Sequence, residues 1–359
     1  MTYDYLACVG RFQPLHLGHC HVIQAMLSKA RHAIVLVGSP NVSRSVKNPF
    51  TYEERAEMFG AVFGEEMAAG RLLVRPVDDH DYNEMAWAAA MQHAMDAALC
   101  DAGVGGATPL GSIASARKGF VSCRTGAYNR FDTIFPHWNI VEIEIEIANA
   151  IDDMHSICRK LFSATPALPH DACPPRVVSQ PERFSRTVEF ASLVEEADYL
   201  EEFKESWATA PYPPTFVTVD CVVVQSGHVL LVRRGERPGR GLLALPGGFI
   251  DVSEALQVSA VRELMEETNI ADRSGPIGPE VLASFIDHSK TRVFDAPDRS
   301  ARGRTITHAY LFRCPDGGPQ FEVKGGDDAE SANWHRLGDL DPRTFFEDHW
   351  FILQAMTGL

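Results

Sequence analysis

Five prolines stand between residues 166 and 181, at positions 166, 169, 174, 175 and 181. Each fixes φ and removes a backbone donor, so this stretch sustains neither a helix interior nor a central strand. A chain of 359 residues broken in this way is expected to fold as two bodies rather than around one core. Before the break, strand and helix patterns alternate. Leu6-Ala7-Cys8-Val9-Gly10 is a short apolar run ending in glycine, residues 22–27 begin a helical pattern, and residues 33–38 form a second strand closed by Ser39-Pro40-Asn41. That is a βαβ unit, which implies a parallel sheet with covering helices. A helix over 52–63, a strand at 72–74 and a long helix over 83–99 continue the alternation. Residues 140–147 alternate with period two, the mark of a strand with one wetter face. After the break, residues 188–207 recover a helical rhythm, stopped by Pro211-Tyr212-Pro213-Pro214. Strands at 217–224 and 229–233 then flank a Ser226-Gly227 turn. The expected division is residues 1–165, a connecting segment 166–211, and residues 212–359.

Charge narrows the partners. Thirty-three basic residues against 48 acidic ones leave a net charge of −15, a field that repels nucleic acid and anionic lipid. A phosphate-bearing partner must therefore be held by local cations or metal ions. The eight cysteines fall in no metal-ligand spacing and read as reduced thiols of a cytoplasmic protein. No basic stretch followed by a long apolar one opens the chain, and no segment approaches the roughly 18 apolar residues of a membrane span. The expectation is a cytoplasmic protein with small-molecule partners, no nucleic acid and no membrane. A homo-oligomer is compatible with the sequence, which leaves assembly open.

The sharpest chemistry lies in the second half. Gly247-Gly248 is followed by Glu254 and then by Arg262-Glu263-Leu264-Met265-Glu266-Glu267-Thr268-Asn269-Ile270. On a helix, Glu263, Glu266 and Glu267 stand at i, i+3 and i+4, so three carboxylates share one face. Such crowding costs stability unless a cation balances it, and oxygen ligands suit a hard ion such as Mg2+ or Mn2+. Arg262 can hold a carboxylate in a bidentate pair. Taken alone, such a string is usually a solvated acidic face. The fixed spacing, six residues from Gly248 to Glu254 and eight more to Arg262, resembles the Nudix box G-x5-E-x7-R-E-U-x-E-E-x-G-U, with Asn269 in place of one glycine. Asn also tolerates the left-handed conformation that ends a helix.

The resemblance implies a Nudix α/β/α sandwich that hydrolyses a nucleoside diphosphate linked to another group. By motif position Glu263, Glu266 and Glu267 would be metal ligands, joined by the Gly247 carbonyl. Arg262 would orient them and Glu254 would support the helix start. The base would come from the box or from the later Gly325-Gly326-Asp327-Asp328-Ala329-Glu330 loop, which reads equally as an ordinary acidic turn. Residues 294–310 resemble the segment that precedes a core strand in ADP-ribose-type Nudix enzymes, and Arg299, Arg302 and Arg304 would be free to grip phosphate or stack on adenine. Solvent-facing turn residues are the alternative.

The first half carries Gly10-Arg11-Phe12-Gln13-Pro14-Leu15-His16-Leu17-Gly18-His19 between its first strand and first helix. His16 and His19 lie three apart at a helix start, where backbone N–H groups and the helix dipole favour a phosphate. The string resembles that of the HxGH nucleotidyltransferases, which implies a Rossmann-like domain. Ser39-Pro40-Asn41-Val42-Ser43-Arg44-Ser45-Val46-Lys47-Asn48-Pro49-Phe50-Thr51-Tyr52-Glu53-Glu54-Arg55 and Asp81-Tyr82-Asn83-Glu84-Met85-Ala86-Trp87 resemble nicotinamide-mononucleotide adenylyltransferases of the type fused to a Nudix domain. The resemblance implies that ATP and NMN give NAD and pyrophosphate, with Mg2+ accompanying ATP. Substrate contacts would come from Gly10, Arg11, Phe12, Arg44, Lys47, Asn48 and Arg55. The indole of Trp87 would stack on the pyridine ring, unless it is simply a core residue.

Two strings depart from that family. Ser122-Cys123-Arg124-Thr125-Gly126 stands where it has G-H-x-K-D, and Phe162-Ser163-Ala164-Thr165-Pro166-Ala167-Leu168 stands where it has I-S-[SA]-T-x-x-R. Leucine donates nothing to phosphate, so Arg159 or Arg176 would have to substitute. Three readings follow: a bifunctional enzyme, with ADP-ribose cleaved to AMP and ribose 5-phosphate and an adenylyltransferase that is intact or weakened; a Nudix hydrolase carrying a catalytically dead nucleotide-binding domain; or a hydrolase whose substrate is NADH, a dinucleoside polyphosphate or a damaged nucleotide.

Overall fold

The computed structural model describes residues 2–101, 116–122, 131–143, 161–162, 172–178 and 183–359. These fall into two compact units, residues 1–194 and 195–359. Residues 123–126 and 163–168, where the sequence departs from the adenylyltransferase strings, lie outside the described residues, as do Arg159 and the 144–147 end of the period-two stretch.

The first unit is built on five parallel strands: β1 Tyr3–Gly10, β2 Ala30–Gly38, β3 Leu72–Val77, β4 Lys118–Ser122 and β5 Asn139–Glu142. Their order in the sheet is β3-β2-β1-β4-β5. Leu6 and Ala7 of β1 and Ala33 to Val37 of β2 are fully buried. Continuous apolar strands of this kind are what a parallel sheet with both faces covered requires. Helices α1 Leu17–Lys29, α2 Tyr52–Ala68 and α3 Glu84–Asp101 follow β1, β2 and β3 in turn. Met91, Met95 and Leu99 on one face of α3 pack with Tyr5, Ile34, Leu36 and Phe120, four-residue spacing turned into core. The strand order reverses beside β1, so the crevice at the carboxyl ends of β1 and β4 is where such a sheet places a ligand.

Helix Val188–Ser206 carries the division between units at residue 194. The second unit is built on a mixed sheet. From edge to edge its strands are Arg292–Phe294, Thr305–Arg313, Phe216–Gln225, His228–Arg234 and Ala329–Arg336. Phe216–Gln225 pairs parallel with Thr305–Arg313 and forms a tight hairpin with His228–Arg234, which pairs antiparallel with Ala329–Arg336. Ser226 and Gly227 both have positive φ, 49° and 75°, the backbone that a two-residue hairpin demands. Gly247–Phe249 pairs antiparallel with Phe216–Gln225, setting Gly247 opposite Asp220. The helix that carries the acidic box, Leu256–Thr268, buries Ala260, Val261, Leu264 and Thr268 against a core that includes Val219, Cys221, Leu230 and Phe312. Among the described residues no helix is long and apolar enough to cross a membrane.

Candidate active sites

The box helix buries two of its carboxylates with its apolar stripe. Glu263 is 8% and Glu267 4% exposed, while Glu266 is half exposed. Their surroundings are made for them. A Cβ at Gly248 would stand 2.8 Å from the Glu263 carboxylate, and one at Gly247 would run into the Val219 carbonyl, so only glycine lets this strand pass so close to the helix. The Gly247 N–H donates to Glu267 Oε2 at 2.9 Å. Arg262 donates from Nε to Glu254 at 2.9 Å and from Nη1 to Glu263 at 2.8 Å and Glu266 at 2.9 Å. One guanidinium thus ties three acids together.

Burial raises the pKa of Glu263, and burial with the Asp328 carboxyl nearby pushes Glu267 up to about 9. The fold therefore holds acids where their charges oppose one another, the electrostatic situation that a hard divalent cation relieves. An all-oxygen donor set fits that class of ion. Among the described residues no three His, Cys, Asp or Glu side chains already stand as a ligand shell; Arg262 engages Glu263 and Glu266 instead.

Behind the glycine strand lies a buried polar network that the sequence pattern does not announce. Arg299 donates twice to Asp348, both at 2.9 Å, and its guanidinium stands 3.8 Å from Asp220. Thr307 donates to Asp220 at 2.6 Å. The Leu245 N–H donates to His349 Nδ1 at 3.0 Å. Burial lowers the His349 pKa to about 3, so the ring is neutral, accepts at Nδ1 and carries its proton on Nε2, 3.9 Å from Asp220. The network props the segment leading into Gly247. Its one sequence signal is Asp220, the one charged residue of strand Phe216–Gln225. Arg299 is thus corrected: expected to be free for phosphate, it is buried and spent on Asp348. Arg304 donates to the Asp295 carbonyl. Arg302 lies 5.0 Å over the ring of Phe249, and its Nε is buried without a hydrogen-bond partner.

In the first unit, His16 caps α1: its Nδ1 accepts from the His19 N–H, and His19 Nδ1 accepts from the His16 N–H. The two rings stack at 3.6 Å. Burial lowers the His16 pKa to about 4 and that of His19 well below the ordinary value, so both are neutral at pH 7. Phe12, at φ 52°, covers His19 at 4.5 Å, and Gly10 leaves room for the Phe12 ring, which a Cβ would approach to 3.1 Å. Gln13 is fully buried and bonds both ways with the Phe50 backbone, at 2.8 and 2.9 Å, fastening the His16 loop to the Lys47-Asn48-Pro49-Phe50 segment.

Arg55 is also corrected. It was expected at the substrate, but it is fully buried and donates to the carbonyls of Thr51, Arg11, Gly38 and Ser39. It binds the loop ends of β1 and β2 to α2, so its charge is used in the framework. Arg44 pairs twice with Glu54 at 2.9 Å and lies over Phe184 at 5.1 Å. Arg176 donates to the Ala61 carbonyl at 3.0 Å. Lys47 is exposed, and Asn48 keeps a buried Oδ1 without a partner. Trp87 is half-buried, 6.1 Å from Phe131, against the edge of the core. Among the described residues the two buried side-chain atoms left unpaired, Asn48 Oδ1 and Arg302 Nε, lie one in each candidate site.

A parallel nucleotide-binding sheet with an HxGH helix start, and a mixed sheet bearing a carboxylate-lined box helix, define the class: a nucleotidyltransferase-like body and a Nudix body in one chain. Comparison with known proteins agrees. A NUDIX domain model matches residues 214–356 and a cytidylyltransferase-like model residues 7–78. An ADP-ribose pyrophosphatase of Methanocaldococcus jannaschii is 33% identical over 38% of this chain and 70% of its own length. A nicotinamide/nicotinic acid mononucleotide adenylyltransferase of Acinetobacter baylyi is 30% identical over 40% of this chain and 68% of its own. The crystal structure of a bifunctional NMN adenylyltransferase/ADP-ribose pyrophosphatase from Francisella tularensis, complexed with AMP and a manganese ion, has a TM-score of 0.85 at 28% identity and covers 99% of both chains. The chain belongs to the family that joins a nicotinamide-nucleotide adenylyltransferase-like domain to a Nudix domain.

Proposed function

We propose that this protein is a cytoplasmic bifunctional enzyme of nicotinamide nucleotide metabolism. Residues 212–359 hydrolyse ADP-ribose to AMP and ribose 5-phosphate, residues 1–165 join ATP and NMN into NAD and pyrophosphate, and residues 166–211 connect them. The observation that carries the hydrolase reading is the pair of buried glutamates, Glu263 and Glu267, against the Gly247-Gly248 strand. Glu263, Glu266, Glu267 and the Gly247 carbonyl would hold Mg2+ or Mn2+, which supplies charge neutralisation at the diphosphate and a more acidic bound water. Arg262 keeps the carboxylates in place, and the Gly247 N–H fixes the orientation of Glu267. Arg302, with an unpaired buried Nε beside Phe249, suits the nucleotide side of the substrate. Water adds one oxygen to phosphorus as the bridging P–O bond breaks, so two monophosphates leave.

In the first unit the NMN phosphate attacks the α-phosphorus of ATP directly and pyrophosphate leaves. His16 and His19, neutral at the N-terminus of α1, offer N–H donors to triphosphate oxygens, and the helix dipole adds its field. Arg11, Lys47, Asn48 and Trp87 line the substrate side. Six described cysteines are free thiols, which suits a reducing compartment. Leu168 in place of the family arginine, with Arg176 held by the Ala61 carbonyl, favours a second reading in which this domain only binds nucleotide. Product formation from ADP-ribose, and separately from ATP plus NMN, with Mg2+ tests both. An intact protein inert toward ADP-ribose would overturn the hydrolase reading, and NAD synthesis that His16→Ala lowers would overturn the binding-only alternative.

A further inference from the structure

We propose that Asn269 is a positioning residue for hydrolysis, its side-chain amide holding the 324–328 loop so that Asp328 faces Glu267. The inference rests on the hydrolase reading. Asn269 ends the box helix in the left-handed conformation, φ 43° and ψ 39°, where glycine would serve the backbone equally well. What glycine lacks is the amide. Asn269 Nδ2 donates to the Lys324 carbonyl at 3.1 Å. Beside that bond the Lys324 N–H donates to the Thr268 carbonyl at 2.8 Å and the Gly326 N–H to the Glu267 carbonyl at 3.1 Å, so the loop lies directly on the end of the helix. Gly326 is packed so tightly that a Cβ there would collide with the Asn269 amide and the Glu266 carbonyl. Asp327 then turns at φ 49°, which brings Asp328 close enough to Glu267 and Glu263 for their charges to oppose one another. The far side of the loop is fixed by the Gly235 N–H donating to the Asp328 carbonyl at 2.8 Å. Asp328 thereby joins the carboxylates of the box from outside it, and Asn269 sets its approach.

The test is Asn269→Gly, which keeps the left-handed helix end and removes only the amide. With ADP-ribose and Mg2+, kcat is expected to fall about fivefold with KM unchanged, the worth of one directed hydrogen bond. Asn269→Asp, which tolerates the same backbone but cannot donate, is expected to lose as much. The decisive readout is a double-mutant cycle with Asp328→Asn: once Asn269 is glycine, removing the Asp328 carboxylate should cost about fivefold less than it does alone. Wild-type kcat in Asn269→Gly, or strictly multiplicative losses in the cycle, would overturn the proposal while leaving the hydrolase reading standing. A wild-type protein inert toward ADP-ribose would sink both together.

Discussion

The two candidate sites solve opposite electrostatic problems. Around His16 and His19 the protein gathers neutral rings, backbone N–H groups and a helix dipole, and its most deeply placed cation, Arg55, is consumed by four carbonyls. Around Glu263 and Glu267 it gathers acids, ties them with Arg262, and burial makes their ionisation expensive. The first arrangement can receive an anion with little reorganisation. The second waits for a cation. A single acidic chain can host both because each site is governed by charges within a few ångströms, where net charge counts for little against local donors.

The largest expected effect tests the support behind the second site. Arg299→Ala would strand Asp348 and Asp220 in the interior, and urea unfolding of the second unit should show a loss of about 3–5 kcal/mol. A smaller loss would mean that water reaches the network. Next, Glu267→Gln should lower ADP-ribose hydrolysis by more than about a hundredfold, because the proposed reading makes it a ligand to the cation, lost here with little change of shape. Near-normal turnover would remove the contrast between the sites. His16→Ala should lower NAD synthesis by about tenfold, the value of a donor to a charged oxygen, and leave ADP-ribose hydrolysis at its wild-type rate.

A last expectation is a pH dependence of stability in the first site. The folded-state pKa of His16 is about 4 against an ordinary 6.5, so the unfolded chain binds the proton more readily. No stability is lost above about pH 6.5, and stability falls as pH drops from there toward 4. The urea midpoint of the first unit should follow that window, and His16→Asn should make the dependence shallower, leaving the share of His19. An unchanged slope in the variant would assign the acid sensitivity to other groups.

Local pattern made much of this legible in advance. The βαβ opening follows from apolar runs ending at Gly10 and Gly38, because strands buried on both faces need them. The box helix follows from Glu263, Glu266 and Glu267 at helical spacing beside Leu264 and Thr268. The hairpin at Ser226-Gly227 follows from the turn it names. These features depend on residues within a turn or two of one another, and sequence records such neighbours directly.

Roles set by distant partners could not be read that way. Arg55 and Arg299 carry the same guanidinium as Arg302, yet the first has its donors taken up by carbonyls up to 44 residues away and the second is paired with Asp348, 49 residues on. Asn269 reads as a tolerated substitute for glycine until Lys324 arrives beside it, 55 positions later. The sequence by itself determined which segments become strand, helix and turn, and which chemistry each helix start presents. Tertiary structure alone decided which charges are left over for a ligand, because a charged group is free only when no buried partner has already claimed it.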